Sequence, residues 1–280
     1  MAHISNVRNV TARQVVNASA IAALHRKEAS ARLNQGRPAV APRALAGLYG
    51  HNPKHNGLLA ALPDADYERI LPQLEFVEMP FGTTICEAGE QMQYVYFPTS
   101  SIVSLLYETA DGASSETAVI GYEGVVGHDV FMGGGASLNR AFIKSGGYGF
   151  RIKAALLNQE FARGGALQRL LLRFTQALFT QMAHTVACNR HHTIVQQLCR
   201  WLLLSLDRLP GNQISMTQDL IANMLGVRRE SVTEAARKLQ DEGLIHYSRG
   251  QITVLDRAGL ENHICECYAS IKEVYQGLLQ

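Results

Sequence analysis

The stretch that predicts most about this fold runs from Thr217 to Ile245 and reads TQDLIANMLGVRRESVTEAARKLQDEGLI. Apolar residues recur at helical spacing on both sides of Gly226, and Thr217 can cap the first of two helices. Gly226 suits the turn between them because glycine tolerates backbone angles that other residues resist. The second helix, from about Arg228 to Asp241, has one apolar stripe and a polar outer face. The stretch therefore predicts a helix-turn-helix.

The segments around this stretch complete a small domain. From Leu244 to Asp256 two apolar-rich runs flank Arg249-Gly250, which predicts a β-hairpin with that pair at its tip. The other predicted elements are a helix over 193–209, a strand over 212–216 and a last helix over 260–279. Together they predict a helix-turn-helix with a wing.

In the first half of the chain the pattern of apolar residues is typical of strands, not of helices. Between Glu75 and Lys153, short β-rich runs alternate with turn signals such as Pro80-Phe81-Gly82. The predicted strands cover 76–79, 83–86, 94–97, 102–107, 117–120, 140–143 and 148–152. Strands at this spacing are typical of a sandwich or jelly roll.

The helix-turn-helix residues carry a resemblance to a known family. Ala222, Gly226 and Val232 sit where helix-turn-helix proteins place a small residue, a turn glycine and a buried β-branched residue. With the wing, the long upstream helix and the β-rich segment, the chain resembles the cyclic-AMP receptor protein/fumarate-nitrate regulator (Crp/Fnr) family of bacterial transcription regulators from about Asn56 to Asp256. The resemblance implies an α+β chain: a double-stranded β-helix sensor domain, a long dimerisation helix and a winged helix-turn-helix.

Domain boundaries follow from these patterns. We expect a basic, poorly ordered extension over 1–55, a cyclic-nucleotide-binding-like barrel over 56–165, a dimerisation helix over 166–190 and a DNA-binding domain over 191–280. Residues 1–55 hold eight Lys and Arg against the single acid Glu28, whereas the whole chain has 26 basic and 24 acidic residues. An organellar transit peptide and an arm that touches DNA phosphate are open alternatives for the extension.

The long helix over 166–189 is apolar on two faces. From Phe174 to Asn189 it has no formally charged residue, so two partners must cover it. The resemblance implies that one face packs on the barrel and the other on the same helix of a second subunit. The residues that we predict for dimerisation are Leu167, Leu171, Phe174 and Leu178.

The resemblance implies double-stranded DNA with a palindromic operator as the partner. Arg229 and Glu230 are predicted base readers, because Arg suits guanine and Glu can accept from cytosine. The other predicted DNA contacts are Thr217, Gln218, Arg228, Thr233, Glu234, Arg237 and Arg249. Glu234 departs from nucleotide-sensing relatives, which have Arg there, so the target sequence should differ. RNA polymerase stays open as a further partner.

The effector site of the family should lie in the segment from Glu123 to Ile143. His128 stands where the ribose-binding Glu belongs, and Arg140 is displaced by about one position from the phosphate-binding Arg. We therefore do not expect cyclic AMP. Another nucleotide or small anion at Gly124, Gly127, His128 and Arg140, or a vestigial pocket, are the two open interpretations.

The five cysteines have no disulfide-framework spacing, which fits a reducing cytoplasm. His184, Cys188, His191 and His192 fall close together on the long helix and its continuation, and the i, i+4 spacing of His184 and Cys188 permits a shared ligand. We nevertheless predict no metal site, because polar residues near a dimer seam or a hinge are more often structural. We predict no iron-sulfur cluster, because no clustered set of cysteines is visible. Thiol oxidation at Cys265 or Cys267 stays open. No membrane span is expected, because the most apolar run is short and contains Arg200.

The sequence thus predicts a cytoplasmic, homodimeric, sequence-specific DNA-binding regulator that is not an enzyme. Its effector is unidentified, or it has none. The alternative is a sensor or scaffold module whose C-terminal head binds a protein.

Overall fold

The computed structural model describes residues 51–133 and 135–278. The basic extension predicted over 1–55 lies outside the described residues except for 51–55. Two short 3-10 turns, Pro53–His55 and Leu71–Gln73, flank the helices α1 (Gly57–Ala60) and α2 (Asp64–Ile70). Asn56 fixes this segment to the barrel, because its Nδ2 donates to the carbonyls of Pro98 and Gly124 at 2.9 and 2.8 Å.

Two antiparallel sheets form the barrel. Its strands are β1 (Glu75–Met79), β2 (Thr84–Cys86), β3 (Tyr94–Pro98), β4 (Ile102–Glu108), β5 (Ser114–Ile120), β6 (Arg140–Ser145) and β7 (Gly147–Lys153). One sheet has the order β1-β7-β3 and the other β2-β6-β4-β5. All seven predicted strands are confirmed. The fully buried Phe97, Ile120 and Phe142 belong to the core that the two sheets enclose.

Three helices follow the sheets or interrupt them. α3 (His128–Phe131) lies between β5 and β6, α4 (Ala154–Ala162) follows β7, and α5 (Ala166–His191) is the predicted long helix. Gly124 lies so close to α5 that a Cβ built on it would stand 2.3 Å from Cε2 of Phe174. The backbone of the barrel at Gly124 is therefore in direct contact with the Phe174 side chain of α5.

The structure corrects the predicted dimer face of α5. Leu167, Leu171, Phe174 and Leu178 are all buried within the chain, with at most 4% exposure. They pack against the barrel and belong to its hydrophobic core. The sequence shows two apolar faces on this helix, and we assigned the inner one to the partner.

The head begins directly after α5. Its elements are α6 (Ile194–Leu206), β8 (Gln213–Ser215), α7 (Gln218–Leu225), α8 (Arg229–Asp241), β9 (Ile245–Ser248), β10 (Gln251–Val254), α9 (Arg257–His263) and α10 (Glu266–Leu278). Thr193 and Gln196 form a capping box at the start of α6. The strand order β8-β10-β9 confirms the predicted strand and wing. The single helix predicted over 260–279 is wrong, because the chain is extended at Ile264 and two helices result.

Buried ionic contacts join the barrel to the head. Nε of Arg208 lies 2.7 Å from Oε1 of Glu123, and both residues are about 6% exposed. Lys144 of β6 pairs with Glu116 at 3.0 Å, and its Nζ lies 4.6 Å from the ring centroid of Trp201 in α6. Burial lowers the pKa of Lys144, and Glu116 opposes that shift. Trp201 is therefore covered by the barrel, at 2% exposure.

No helix within the described residues is long and apolar enough to cross a membrane.

We expect Arg208→Met to lower the free energy of unfolding by about 3–5 kcal/mol, because Glu123 would stay buried without its counter-ion. Urea denaturation measures the change. Arg163→Met is the control: Arg163 is 60% exposed and 3.7 Å from Glu160, so its loss should cost less than about 1 kcal/mol. Equal losses in the two variants would contradict the importance of the buried pair.

Candidate nucleic-acid interface and effector site

Helix α8 buries one stripe and exposes the other. Val232, Ala235, Ala236 and Leu239 are 0–4% exposed and pack in the core of the head. The predicted contact residues on this helix are all exposed: Arg229, Glu230, Thr233, Glu234 and Arg237. Arg228, also exposed, is the residue that precedes the helix. The side chains available to a ligand are therefore polar and mostly charged.

Helices α7 and α8 are held together at the start of α8. The hydroxyl of Thr233 donates to Oε1 of Gln218 at 2.8 Å. Arg229 faces Asp219 across the turn, with Nε 3.5 Å from Oδ1, and both side chains are more than half exposed. Gly226, at φ 68°, ends α7 in the left-handed conformation that the turn requires. These contacts position Gln218, Arg229 and Thr233 on one surface.

The wing is fixed beside that surface. Arg249 and Gly250 have φ of 50° and 78°, the left-handed pair that a tight hairpin uses. The hydroxyl of Tyr247 donates to the carbonyl of Met216 at 2.7 Å, and burial raises the pKa of this tyrosine. A Cβ on Gly250 would lie 3.7 Å from Cγ2 of Thr217, so the tip stands next to the start of α7.

Thr217 has a structural task as well. Its Oγ1 accepts from the backbone N–H of Leu220 at 3.3 Å, which caps α7. The hydroxyl hydrogen is not used in that bond. Thr217 is the predicted contact whose replacement would also disturb a helix end.

The four predicted effector residues, Gly124, Gly127, His128 and Arg140, are all buried. The N–H groups of Gly124 and Val126 already donate to the carbonyls of Gly121 and Tyr96, at 3.1 and 2.8 Å. Gly127, with φ 107°, packs near Met92 and Val95. α3 has only four residues. The N–H groups of Gly124 and Val126 are therefore already used within the barrel. The site at Gly124, Gly127, His128 and Arg140 stays a prediction.

The charged side chain of Arg140 is almost fully buried, at 1% exposure. Nη1 lies 2.6 Å from Oε1 of Glu108, and Nε lies 3.9 Å from Oε2 of Glu87. Nε and Nη2 are buried and make no hydrogen bond within the part of the chain that the structure describes. Only one of the three guanidinium nitrogens therefore makes a hydrogen bond there, and the N–H groups of Nε and Nη2 could serve a buried acceptor.

His128 is buried at 7% exposure. Its Nε2 lies 3.5 Å from Oδ1 of Asp129, and its Nδ1 has no hydrogen-bond partner among the described residues. Burial lowers the pKa of His128, and Asp129 opposes the shift. The side chain is therefore kept neutral at physiological pH.

A cavity of about 620 Å³ lies between the barrel and the head. Ser100 and Gly147 line it from the barrel, Pro210 and Gln213 from the head, and Lys144 reaches it from β6. This volume is in the range of small-molecule sites. A ligand there would contact both domains at once, which sequence patterns did not predict.

A cluster at the end of α5 was predicted only in part, through Cys188 and His192. The ligand atoms of Cys188, His192, Cys265 and Cys267 all lie within 4.8 Å of one another. The expectation of no clustered cysteines is wrong, because the break before α10 brings the C-x-C pair against α5. His184 is not a member. Two short spacings, Cys188 with His192 and Cys265 with Cys267, were the available signal.

The predicted alternative of thiol oxidation concerns the same cluster. Burial raises the pKa of the Cys267 thiol to about 12, and the nearby Cys265 adds to the shift. Cys265 and Cys267 are 5% and 2% exposed. Reactive cysteines need an accessible thiolate, so these thiols lack the features of a redox sensor.

Comparison with known proteins agrees with this architecture. Residues 196–263 match the Crp-like helix-turn-helix domain family. FixK2 from Bradyrhizobium japonicum is 18% identical at a TM-score of 0.58, covering 69% of this chain and 98% of its own. A CRP/FNR-family transcriptional regulator from Thermus thermophilus is 18% identical at 0.53, covering 68% and 97%. CLP from Xanthomonas campestris, a c-di-GMP responsive global regulator, is 18% identical at 0.53, covering 69% and 99%.

No curated protein matches the chain. The fold and the head define a class: proteins with a jelly-roll sensor domain joined by a long helix to a winged helix-turn-helix. Within that class the chain has the fold of the Crp/Fnr transcription regulators, and residues 196–263 of its head match the Crp-like helix-turn-helix domain.

The burial of His128 predicts a loss of stability in acid. Its pKa in the folded protein lies below the ordinary value of 6.5, so the unfolded chain takes up a proton that the folded chain resists. Stability is retained above about pH 6.5 and falls below it, by at most about 1.4 kcal/mol per pH unit for one proton. His128→Gln should flatten this part of the curve of melting temperature against pH.

The exposed His246 provides the control. His246→Gln removes a histidine from the surface of the head, and we expect its curve to follow the unmodified protein. A curve for His128→Gln as steep as that of the control would show that the buried ring is not responsible.

Proposed function

We propose that this protein is a homodimeric, sequence-specific DNA-binding transcription regulator of the Crp/Fnr type. One observation carries the proposal: the exposed polar face of α8 and the tip of the wing lie on one surface, in a segment that matches Crp-like helix-turn-helix domains. A helix with such a face fits the major groove, and the wing tip reaches the adjacent backbone. Catalysis is not part of the proposal, and the proposed location is the cytoplasm.

The roles on DNA follow from chemistry and position. Arg229 and Glu230, in the first turn of α8, are the proposed base readers. Arg228, Arg237 and Arg249 are exposed cations around them, suited to phosphate. The proposed contacts with less defined roles are Thr217, Gln218, Thr233 and Glu234. Since the whole chain is nearly neutral, affinity must come from this local group of cations.

The proposed dimer uses the outer face of α5. Leu172, Phe179 and Val186 are 44%, 50% and 71% exposed, although they are large apolar residues. They are spaced seven residues apart, and Gln176 and Ala183 lie between them at the other seam positions. This is the spacing of a coiled-coil seam between two parallel helices. A two-fold dimer would present two α8 helices to a palindromic operator.

The candidate effector site lies in the barrel, at Arg140. Nε and Nη2 of Arg140 make no hydrogen bond among the described residues, which supports an anionic group beside this side chain in the barrel. His128, Gly124 and Gly127 stay proposed members of that site. The Glu108 carboxylate competes for that arginine, which weighs against cyclic AMP. The c-di-GMP response of CLP concerns that protein, and a similar ligand here, or none, is open. RNA polymerase is a proposed further partner of the DNA-bound dimer.

The test is selection of the purified protein on a randomised DNA pool at near-physiological salt, with and without small molecules from a cell extract. We expect a palindromic consensus. Dependence on the extract would show that the protein has a ligand. If no sequence is enriched while the dimer is intact, the alternative of a head that binds a protein replaces this proposal.

Two substitutions separate the roles of the arginines. Arg237→Ala should weaken binding to all sequences alike and reduce the slope of affinity against salt by about one ion. Arg229→Ala should cost about 1–3 kcal/mol on the consensus and relax one base position. Arg151→Ala, on the barrel surface, is the control and should leave both unchanged. A changed base preference in Arg237→Ala would contradict its phosphate role.

The dimer is tested with Val186→Glu, which places two carboxylates at the seam. We expect the dissociation constant of the dimer, measured by sedimentation equilibrium, to rise at least about 30-fold. This is the equivalent of about 2 kcal/mol. Leu138→Glu changes another exposed apolar residue, 76% exposed on the barrel, and should leave the dimer intact. A Val186→Glu protein that stays as dimeric as the control would show that α5 is not the interface.

A further inference from the structure

The cluster at the end of α5 has the composition of a metal site. Cys188 lies in the last turn of that helix and His192 follows its end, whereas Cys265 and Cys267 flank the start of α10. All three cysteines are at most 5% exposed. Three thiols and one imidazole are the ligand set of many structural zinc sites.

Two of the distances between these ligand atoms match one tetrahedral ion, and all of them are at most 4.8 Å. With a Zn–S bond of about 2.3 Å, a regular tetrahedron places neighbouring sulfurs about 3.8 Å apart. Sγ of Cys188 and Sγ of Cys265 are 3.6 Å apart, and Sγ of Cys267 is 3.8 Å from Nδ1 of His192. A disulfide would need sulfurs about 2.05 Å apart. The four atoms therefore enclose a space for an ion rather than a bond.

The surroundings of the cluster are those that metal ligands require. Nε2 of His192 lies 3.4 Å from Oε1 of Glu266, which leaves Nδ1 facing the sulfurs. A carboxylate in this position fixes the ring and its tautomer in metal sites. Nδ1 of His192, which faces the sulfurs, is therefore the nitrogen that is free to coordinate the ion.

A buried arginine balances the charge. Three thiolates with a divalent ion leave one negative charge in an apolar region. Nε of Arg200 lies 3.2 Å from Sγ of Cys188, and the residue is only 4% exposed. Its Nη1 is also held by Thr185 at 3.3 Å. A buried cation placed on a sulfur has a clear purpose when that sulfur is a thiolate.

We propose that Cys188, His192, Cys265 and Cys267 bind one zinc ion, which fastens α10 to the junction of α5 and α6. As each sulfur bonds to the ion its thiol proton leaves to solvent, and no oxidant or reductant is needed. At its other end α10 is held by Gln181, whose Nε2 donates to the Tyr275 hydroxyl at 2.8 Å. The ion therefore fixes the N-terminal end of α10 at the point where the head joins α5.

Metal analysis of the reduced, full-length chain without a histidine tag tests the proposal directly. We expect about one zinc per chain by plasma mass spectrometry. Cobalt(II) added to metal-free protein should give the strong visible bands and the thiolate charge-transfer band of a tetrahedral site. Absence of zinc together with absence of those bands would overturn the proposal. So would iron as the bound metal, or a disulfide between Cys188 and Cys265 in the freshly purified protein.

Variants assign the ligands. Cys267→Ser should lose the ion, whereas Cys86→Ser, a buried cysteine in the barrel, should keep it. His192→Cys should retain metal, because four thiolates also suit zinc. Glu266→Gln changes a side chain that is 74% exposed and leaves the fold intact, and we expect about 10–100-fold weaker zinc binding in chelator competition. Unchanged affinity in that variant with full metal retention in Cys267→Ser would overturn the assignment.

Discussion

The buried pair of Glu123 and Arg208 is the contact on which the relation of the two domains depends. Glu123 is the first residue of the segment that carries the candidate effector residues. Arg208 follows the C-terminal end of α6, the first helix of the head. Burial lowers the pKa of Arg208, but Glu123 and its neighbours more than offset this, so the pKa is raised. Neither charge can leave the other without meeting an apolar environment. The head is thereby tied to the part of the barrel where a ligand is proposed.

Other contacts at this junction reinforce that tie. Gln181 of α5 donates to and accepts from the backbone of Val119 in β5 at 3.1 Å, and also meets Tyr275 of α10. Lys144 spans from Glu116 to the ring of Trp201. Barrel, long helix and head are thus connected by several buried polar contacts, and such contacts favour one arrangement over a set of loosely packed ones.

The parts of the fold that depend on local pattern were predictable. The strands and the helix-turn-helix are encoded in spacing of apolar residues and in turn glycines such as Gly226, so their positions agree closely with the structure. The face of α5 that packs on the barrel was not predictable, because Leu171 and Phe179 are equally apolar. Only the barrel determines which of the two is covered. Arg140 could be selected from the sequence as a candidate, but its pairing with Glu108 requires the register of β4 and β6. The cysteine cluster joins residues far apart in sequence, which no short motif reveals.

The close approach of Gly124 to Phe174 has a mechanical consequence. Where two elements meet through long side chains, a small shift of one is absorbed by rotamer changes in the gap between them. Here the backbone itself touches an aromatic ring at 0% exposure, and no such gap exists. A displacement of the segment around Gly124 must therefore pass to α5 as movement of the whole helix, since a close-packed interior transmits strain instead of damping it.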